Sequence, residues 1–472
     1  NVLLKARFTG NSGKEYNIDG FYYGTDQWKI RFTPPETGDW RWELTFATPQ
    51  QTFPAAGSFS VVNSSRSGFL KSNPTNPFRL VLEDDSLFNG VGIGDCILDV
   101  NKNGNPLDDW GFDGEFRTGG EEGGYKGSYT DMATYMNAYG SKGAGFNLFR
   151  WSVDNCAFKL WETISVEGNR YLSQNGVFGD QLVQALRDNG FRIWMTVFGF
   201  SPPYPNAVNN PAEQEAIKKY IRYAVARYGA YIDIWELTNE ATPPDEWIKF
   251  VASYLRSIDP YNRLISTSWE RPHLAEITIN SPHWYQKESE FESDSVTTNR
   301  ISSEKKSSKP VIFGEQGNSE QNWDPGSALR MRLRSWTAFF KEGVLIFWNS
   351  SFAKDYKAPV ASNIYLGPEE RGYIKILQDF TKGFDSQTTI TEISISNPHL
   401  IRGYALQSPK LYAAYLHAYT NHTTPTSGIT VTIDSPSSGS ASWISPSSGQ
   451  VLGTQGVLVG KQTLAVPAFT TD

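Results

Sequence analysis

The sequence predicts a (β/α)8 barrel flanked by an N-terminal and a C-terminal β-sandwich, and three observations carry that expectation. The middle of the chain alternates strand-like apolar runs with amphipathic helices, the pattern of a parallel sheet covered by helices. Eight such runs can be read in order, enough to close a barrel. On either side the text is β-rich and punctuated by turn clusters. The expected divisions are residues 1–63 for the first sandwich, 64–386 for the barrel and 387–472 for the second sandwich.

In the first segment, Val2-Leu3-Leu4-Lys5-Ala6-Arg7-Phe8 and Trp28-Lys29-Ile30-Arg31-Phe32 carry β-forming side chains. Gly38-Asp39 then turns into Trp40-Arg41-Trp42-Glu43-Leu44, where apolar and polar residues alternate. The eight barrel strands are expected at Gly90–Asp95, Phe146–Trp151, Phe191–Phe198, Ile232–Thr238, Leu264–Ser268, Ile277–Tyr285, Val311–Glu315 and Val344–Trp348. Ile217, Tyr220, Ile221, Ala224, Val225 and Tyr228 repeat at helical spacing, as do Trp247, Phe250, Val251, Tyr254, Leu255 and Ile258. Each set predicts a helix with one buried stripe. A last helix is expected near Glu369–Phe384, followed by short strands separated by turns such as Ser435-Pro436-Ser437-Ser438-Gly439.

A formal net charge of -7 without a basic patch argues against nucleic acid as a partner. The aromatic share, 14% with 15 Trp and 23 Tyr, suits faces that stack on sugar rings as well as sandwich cores. Cys96 and Cys156 are the only cysteines, which excludes a disulfide framework and Cys-rich zinc modules and leaves a single bridge or two thiols open. No run of apolar residues is long enough to span a membrane. Asn1 opens in strand-like text without a start methionine or signal peptide, so a secreted or cell-surface chain with its signal removed is expected. Asp99, Asn101 and Asn103 are spaced like the first half of a calcium loop, but Trp110 stands where the closing glutamate belongs. A polar loop is therefore expected there, within a long insertion reaching about Gly127 that could wall off one end of a groove. No metal or cofactor is required.

The chemistry is carried by two runs that end in a carboxylate, Ile232-Asp233-Ile234-Trp235-Glu236-Leu237-Thr238-Asn239-Glu240 and Pro310-Val311-Ile312-Phe313-Gly314-Glu315-Gln316-Gly317. About three strand-helix units separate Glu240 from Glu315, placing them at the ends of the fourth and seventh strands, where barrel active sites lie. Two carboxyl groups about 5 Å apart would perform retaining glycoside hydrolysis, one as acid/base and one as nucleophile. Glu236, four residues before Glu240, reads as a structural carboxylate deeper in the barrel. Arg150 and Tyr285 could donate to Glu315, and Asn239 could hold a sugar hydroxyl. His283, Trp348 and Trp269 could each contact substrate or simply pack.

These residues, in this order, resemble the clan A glycoside hydrolases, close to family 5 and its relatives. The resemblance covers roughly 80–385 and rests on Arg150, Asn239-Glu240, His283-Trp284-Tyr285, Glu315 within Gly314-Glu315-Gln316-Gly317, and Trp348. It implies that Glu240 is the acid/base with Asn239 as its partner and that Glu315 is the nucleophile, held by Tyr285 and oriented by Arg150. It further implies that His283 binds substrate and that Trp348 is a stacking platform. Two departures stand out. The third strand ends in Phe198 without the usual histidine, and Ala241 follows Glu240 where proline is common. Gly20-Phe21-Tyr22-Tyr23-Gly24 and Gly38-Asp39-Trp40 resemble a small sandwich of unassigned function that precedes such barrels. Residues 397–472 resemble a C-terminal, collagen-binding-like β-domain. The implied activity is cleavage of a polysaccharide or oligosaccharide by double displacement. The alternative is a non-catalytic carbohydrate-binding or adhesion protein on a barrel scaffold.

Overall fold

The computed structural model describes residues 2–64, 66–97, 99, 103–112, 129–154, 158–319, 323–354 and 364–472. Eight parallel strands form one sheet: β1 (Val91–Asp95), β2 (Leu148–Ser152), β3 (Arg192–Phe198), β4 (Ile234–Thr238), β5 (Leu264–Ser266), β6 (His283–Tyr285), β7 (Val311–Gly317) and β8 (Gly343–Phe347). Their order in the sheet is β5-β4-β3-β2-β1-β8-β7-β6, the cyclic succession of a (β/α)8 barrel. Among the described residues, seven α-helices accompany them: α1 (Met132–Tyr139), α2 (Ser173–Asp188), α3 (Pro211–Tyr228), α4 (Asp245–Ile258), α5 (Ser293–Glu304), α6 (Ser327–Phe340) and α7 (Pro368–Thr381). Antiparallel sheets flank the barrel in the sequence on both sides.

The chain divides into two compact units. The first comprises residues 1–71, 150–188 and 192–278. Its N-terminal sheet runs Glu15–Asp19, Leu3–Thr9, Gly38–Ala47, Thr52–Val61 around a core of Tyr16, Ile18 and Trp40, with Phe8, Ile30, Phe32, Phe59 and Val61 packed against it. Arg31 fixes that sheet to the helices: it pairs with Asp180 of α2 at 2.6 Å and donates to the Arg227 carbonyl of α3 at 2.7 Å. Helix α3 buries the stripe its periodicity predicts, with Ile217, Tyr220, Ile221 and Ala224 inside, while α4 buries Trp247, Val251 and Leu255 of its stripe and leaves Phe250, Tyr254 and Ile258 partly exposed.

The second unit comprises residues 72–149, 189–191 and 279–472. Its C-terminal sheets enclose Ile401, Leu416, Ile429, Val431, Ile433 and Leu464. They are tied to the barrel helices through charge. Arg332 of α6 binds Asp472 at 2.6 Å, and Asp294 of α5 accepts from Arg402 and from the Tyr404 hydroxyl. The His417 ring lies 3.0 Å from the same carboxylate.

Several element ends differ from expectation. Strand β6 is three residues, not nine, because Pro282 brings no N–H to a ladder and only an isolated bridge from Asn280 to Val311 precedes it. Strand β5 stops at Ser266, where Ser268 turns its backbone N–H onto the Thr238 carbonyl. Strand β7 runs on to Gly317. Helix α7 ends at Thr381 rather than Phe384.

Cys96 is disulfide-bonded, which decides the question its sequence position left open; Cys156 lies outside the described residues. At the candidate calcium loop the Asp99 carboxylate accepts the backbone N–H groups of Asn103 and Gly104 at 3.1 and 2.9 Å. Asn101 and most of the long insertion, residues 113–128, lie outside the described residues. Among those described, no helix is long and apolar enough to cross a membrane.

Candidate active site

The first unit holds a carboxylate centre beneath the end of β4. Side chains alternate along a strand, so Glu236 and Thr238 share a face, and the parallel register sets Thr196 of β3 opposite Glu236. Glu236 is fully buried and accepts three hydrogen bonds: from Arg150 Nε at 2.8 Å, Thr196 Oγ1 at 2.5 Å and Ser268 Oγ at 2.7 Å. Burying a carboxylate is unfavourable unless such donors replace its water. Arg150, also fully buried, extends its Nη2 to Asn239 Oδ1 at 2.8 Å. A continuous chain thus runs from Glu236 through Arg150 to Asn239.

Glu240 follows at the rim. Its φ of 46° lies in the left-handed region, which a non-glycine residue occupies at a cost of order 1–2 kcal/mol. Its neighbours hold it there: Asn239 N–H donates to the Gly199 carbonyl at 3.4 Å and Ala241 N–H to the Ser268 carbonyl at 3.3 Å. Unlike Glu236, Glu240 is only partly buried. Non-glycine residues held in such backbone cluster at functional sites. Trp269 N–H donates to the Ala241 carbonyl at 3.4 Å, which brings that exposed ring to the same turn.

The second unit holds Glu315. Strands β6 and β7 pair in parallel with His283 opposite Glu315, so His283 and, two residues on, Tyr285 share its face. The Tyr285 hydroxyl donates to Glu315 Oε2 at 2.5 Å, and His283 Nδ1 lies 3.5 Å from the same oxygen. Glu315 is 5% exposed, so these groups stand in for most of its water. Trp348, at the end of β8, donates its backbone N–H to the Gln316 carbonyl at 3.1 Å. A Cβ on Gly94 of β1 would meet the Trp348 ring at 1.9 Å, so glycine is what lets the indole lie over β1.

Asn239, Glu240 and Trp348 lie just past the ends of their strands, Tyr285 closes β6 and Glu315 lies near the end of β7, whereas Arg150 is mid-strand in β2 and His283 opens β6. Arg150, Asn239, Glu240 and Trp269 assemble in one unit; His283, Tyr285, Glu315 and Trp348 assemble in the other. Sequence reasoning missed Thr196, Ser268 and Gly94. Thr196 was legible in principle, as the lone hydroxyl in Arg192–Phe198 on the pleat side of Glu236; Ser268 and Gly94 act through register that no local pattern reveals.

Comparison with known proteins bears on the fold. Residues 1–47 match a domain of unknown function, DUF5060. No curated protein matches this sequence. A crystal structure of a candidate glycoside hydrolase from Bacteroides vulgatus superposes with a TM-score of 0.56 at 18% identity, covering 81% of this chain and 74% of that one. A second protein of Bacteroides vulgatus, a glycoside hydrolase of family 5, gives a TM-score of 0.53 at 15% identity, covering 85% of this chain and 90% of its own. The fold is shared with a family 5 glycoside hydrolase. At these identities the likeness establishes the fold alone, and the chemistry must be argued from the side chains.

Proposed function

We propose that this chain is a retaining β-glycoside hydrolase in which Glu315 attacks and Glu240 is the acid/base. The observation that carries the reading is the setting of Glu315: a nearly buried carboxylate at the end of a barrel strand, bonded by a tyrosine hydroxyl at 2.5 Å and flanked by an imidazole at 3.5 Å. A carboxylate so held keeps one orientation, as a nucleophile requires. Glu240, by contrast, stands on a turn with partial access to solvent, as a group that exchanges protons with water requires.

In the first step a carboxylate oxygen of Glu315 forms a bond to the anomeric carbon as the glycosidic C–O bond breaks, and the departing oxygen takes a proton from Glu240. In the second, Glu240 removes a proton from water, which displaces Glu315 and restores both groups. Arg150 is a positioning residue, bound to Glu236 below and aligning Asn239, whose amide is placed to reach a sugar hydroxyl. Trp348 offers a face on which the attacked sugar can rest, and His283 a further donor. The substrate is a polysaccharide or its oligosaccharides, no cofactor takes part, and the enzyme acts outside the cell, which the disulfide at Cys96 favours.

The test is a reducing-sugar screen over β-glucan, β-mannan, xylan and galactan, followed by Glu315→Ala and Glu240→Ala on the active substrate. Each variant should lose several orders of magnitude in turnover, roughly 10³-fold or more, while remaining folded. Azide should then give an α-glycosyl azide with Glu315→Ala and a β-glycosyl azide with Glu240→Ala. Near-normal turnover in either variant would remove the assignment.

A further inference from the structure

Among the described residues of the barrel region, the exposed large hydrophobic side chains are Val166, Phe200, Val208 and Trp269. Only two are aromatic, Phe200 at 53% and Trp269 at 40% exposure. A single exposed ring needs no explanation. These two share a place. Phe200 follows β3 and Trp269 follows β5, one on each side of the turn that carries Glu240 at the end of β4.

Both are anchored to that turn through the main chain. The residue before Phe200, Gly199, accepts the Asn239 N–H at 3.4 Å and gives its own N–H to Asp154 at 3.1 Å. Trp269 donates to the Ala241 carbonyl, and its own carbonyl takes Arg271 Nη1 at 2.8 Å, while Arg271 binds Asp245 at the start of α4 at 3.0 Å. Trp269 is therefore a ring on a braced backbone, and Phe200 follows a residue fixed on both sides. Rigid aromatic faces held in water lose little conformational freedom when something flat covers them.

The placement of these two residues beside the Glu240 turn decides what their rings can meet. An acid/base delivers its proton to the oxygen that leaves, so groups beside it meet the leaving group, whereas groups around the nucleophile meet the sugar under attack. Resting on the reading of Glu240 as acid/base, we propose that Phe200 and Trp269 form the leaving-group subsite and select substrates whose departing unit is a pyranose with an apolar face. Stacking there holds the glycosidic oxygen in reach of Glu240, and a leaving group without a ring face forfeits that contact.

The test compares two substrates with the same reacting sugar, that of whichever polysaccharide the screen identifies: a β-linked oligosaccharide and the glycosyl fluoride made for that sugar's retained linkage, whose leaving group is too small to touch either ring. Phe200→Ala and Trp269→Ala should each lower kcat/KM on the oligosaccharide by roughly tenfold, one aromatic contact's worth, and leave hydrolysis of the fluoride within about twofold. Trp269→Phe, which keeps a ring, should recover most of the loss. Equal losses on both substrates, or none on the oligosaccharide, would overturn the inference. Wild-type protein inactive on both would instead overturn the reading of Glu240 and Glu315 on which it stands.

Discussion

Glu236→Gln tests the buried network without touching either proposed reacting carboxylate. The substitution keeps shape and volume but removes the charge that faces Arg150 Nε at 2.8 Å, with both side chains fully buried. The amide can be accommodated: its nitrogen can turn toward Ser268, whose hydroxyl then accepts, leaving the amide oxygen for Arg150 and Thr196. What cannot be replaced is the counter-charge, and removing one partner of a buried ion pair costs about 3–5 kcal/mol. For a barrel of this size such a loss should lower the thermal midpoint on the order of 5–15 °C. The assay is differential scanning fluorimetry at neutral pH, with turnover measured well below the new midpoint. Activity should fall as well, because Arg150 also aligns Asn239 at 2.8 Å. A midpoint shift below about 2 °C would refute the reasoning, since a shift that small corresponds to no more than an exposed pair is worth.

Tyr285→Phe removes the hydroxyl on Glu315; a hydrogen bond to a charged group is worth about 1.5–3 kcal/mol, so kcat/KM should fall about 10- to 150-fold in steady-state kinetics while the melting midpoint stays put. Gly94→Ala places a methyl where the Trp348 ring lies, so activity should drop sharply, and a variant combining it with Trp348→Ala should be hardly worse than either alone. The Glu370 carboxyl of α7 is pushed up to about 7 by burial. Its folded value is raised above the unfolded one, so the fold favours the protonated form and loses stability as pH rises from about 4.5 through 7. Glu370→Gln should therefore raise the midpoint at pH 8 and leave it nearly unchanged at pH 4.5, as melts at the two pH values will report.

The architecture was legible because long elements carry redundant signals. The stripes of α3 and α4 repeat several times, and each of the eight apolar runs landed on a strand. Ends were less legible. The run Ile277–Tyr285 reads as one strand by composition, yet Pro282, with no N–H to give, interrupts it, so that strand β6 is His283–Tyr285 and Asn280 makes only an isolated bridge. Candidate site residues could be named wherever a carboxylate closes a strand, as at Glu240 and Glu315. The supports escaped because they depend on which strands neighbour one another: Thr196 matters only through its register with Glu236, and Gly94 only through the Trp348 ring laid against it. The spacing that set Glu236 deeper than Glu240 agrees with their burial, complete for the first and partial for the second.

The Asp294 cluster has a consequence for how this protein can be dissected. Helices α5 and α6 precede and follow β7 in the chain, and both are moored to the last eighty or so residues through Asp294 and Arg332. Cutting the chain after α7 would strand one buried acid and one buried base without their counterparts, on the two helices that bracket the strand bearing Glu315. The terminal module is thus better regarded as a buttress of the barrel than as a detachable appendage, and a truncated enzyme would report on damage to its own frame.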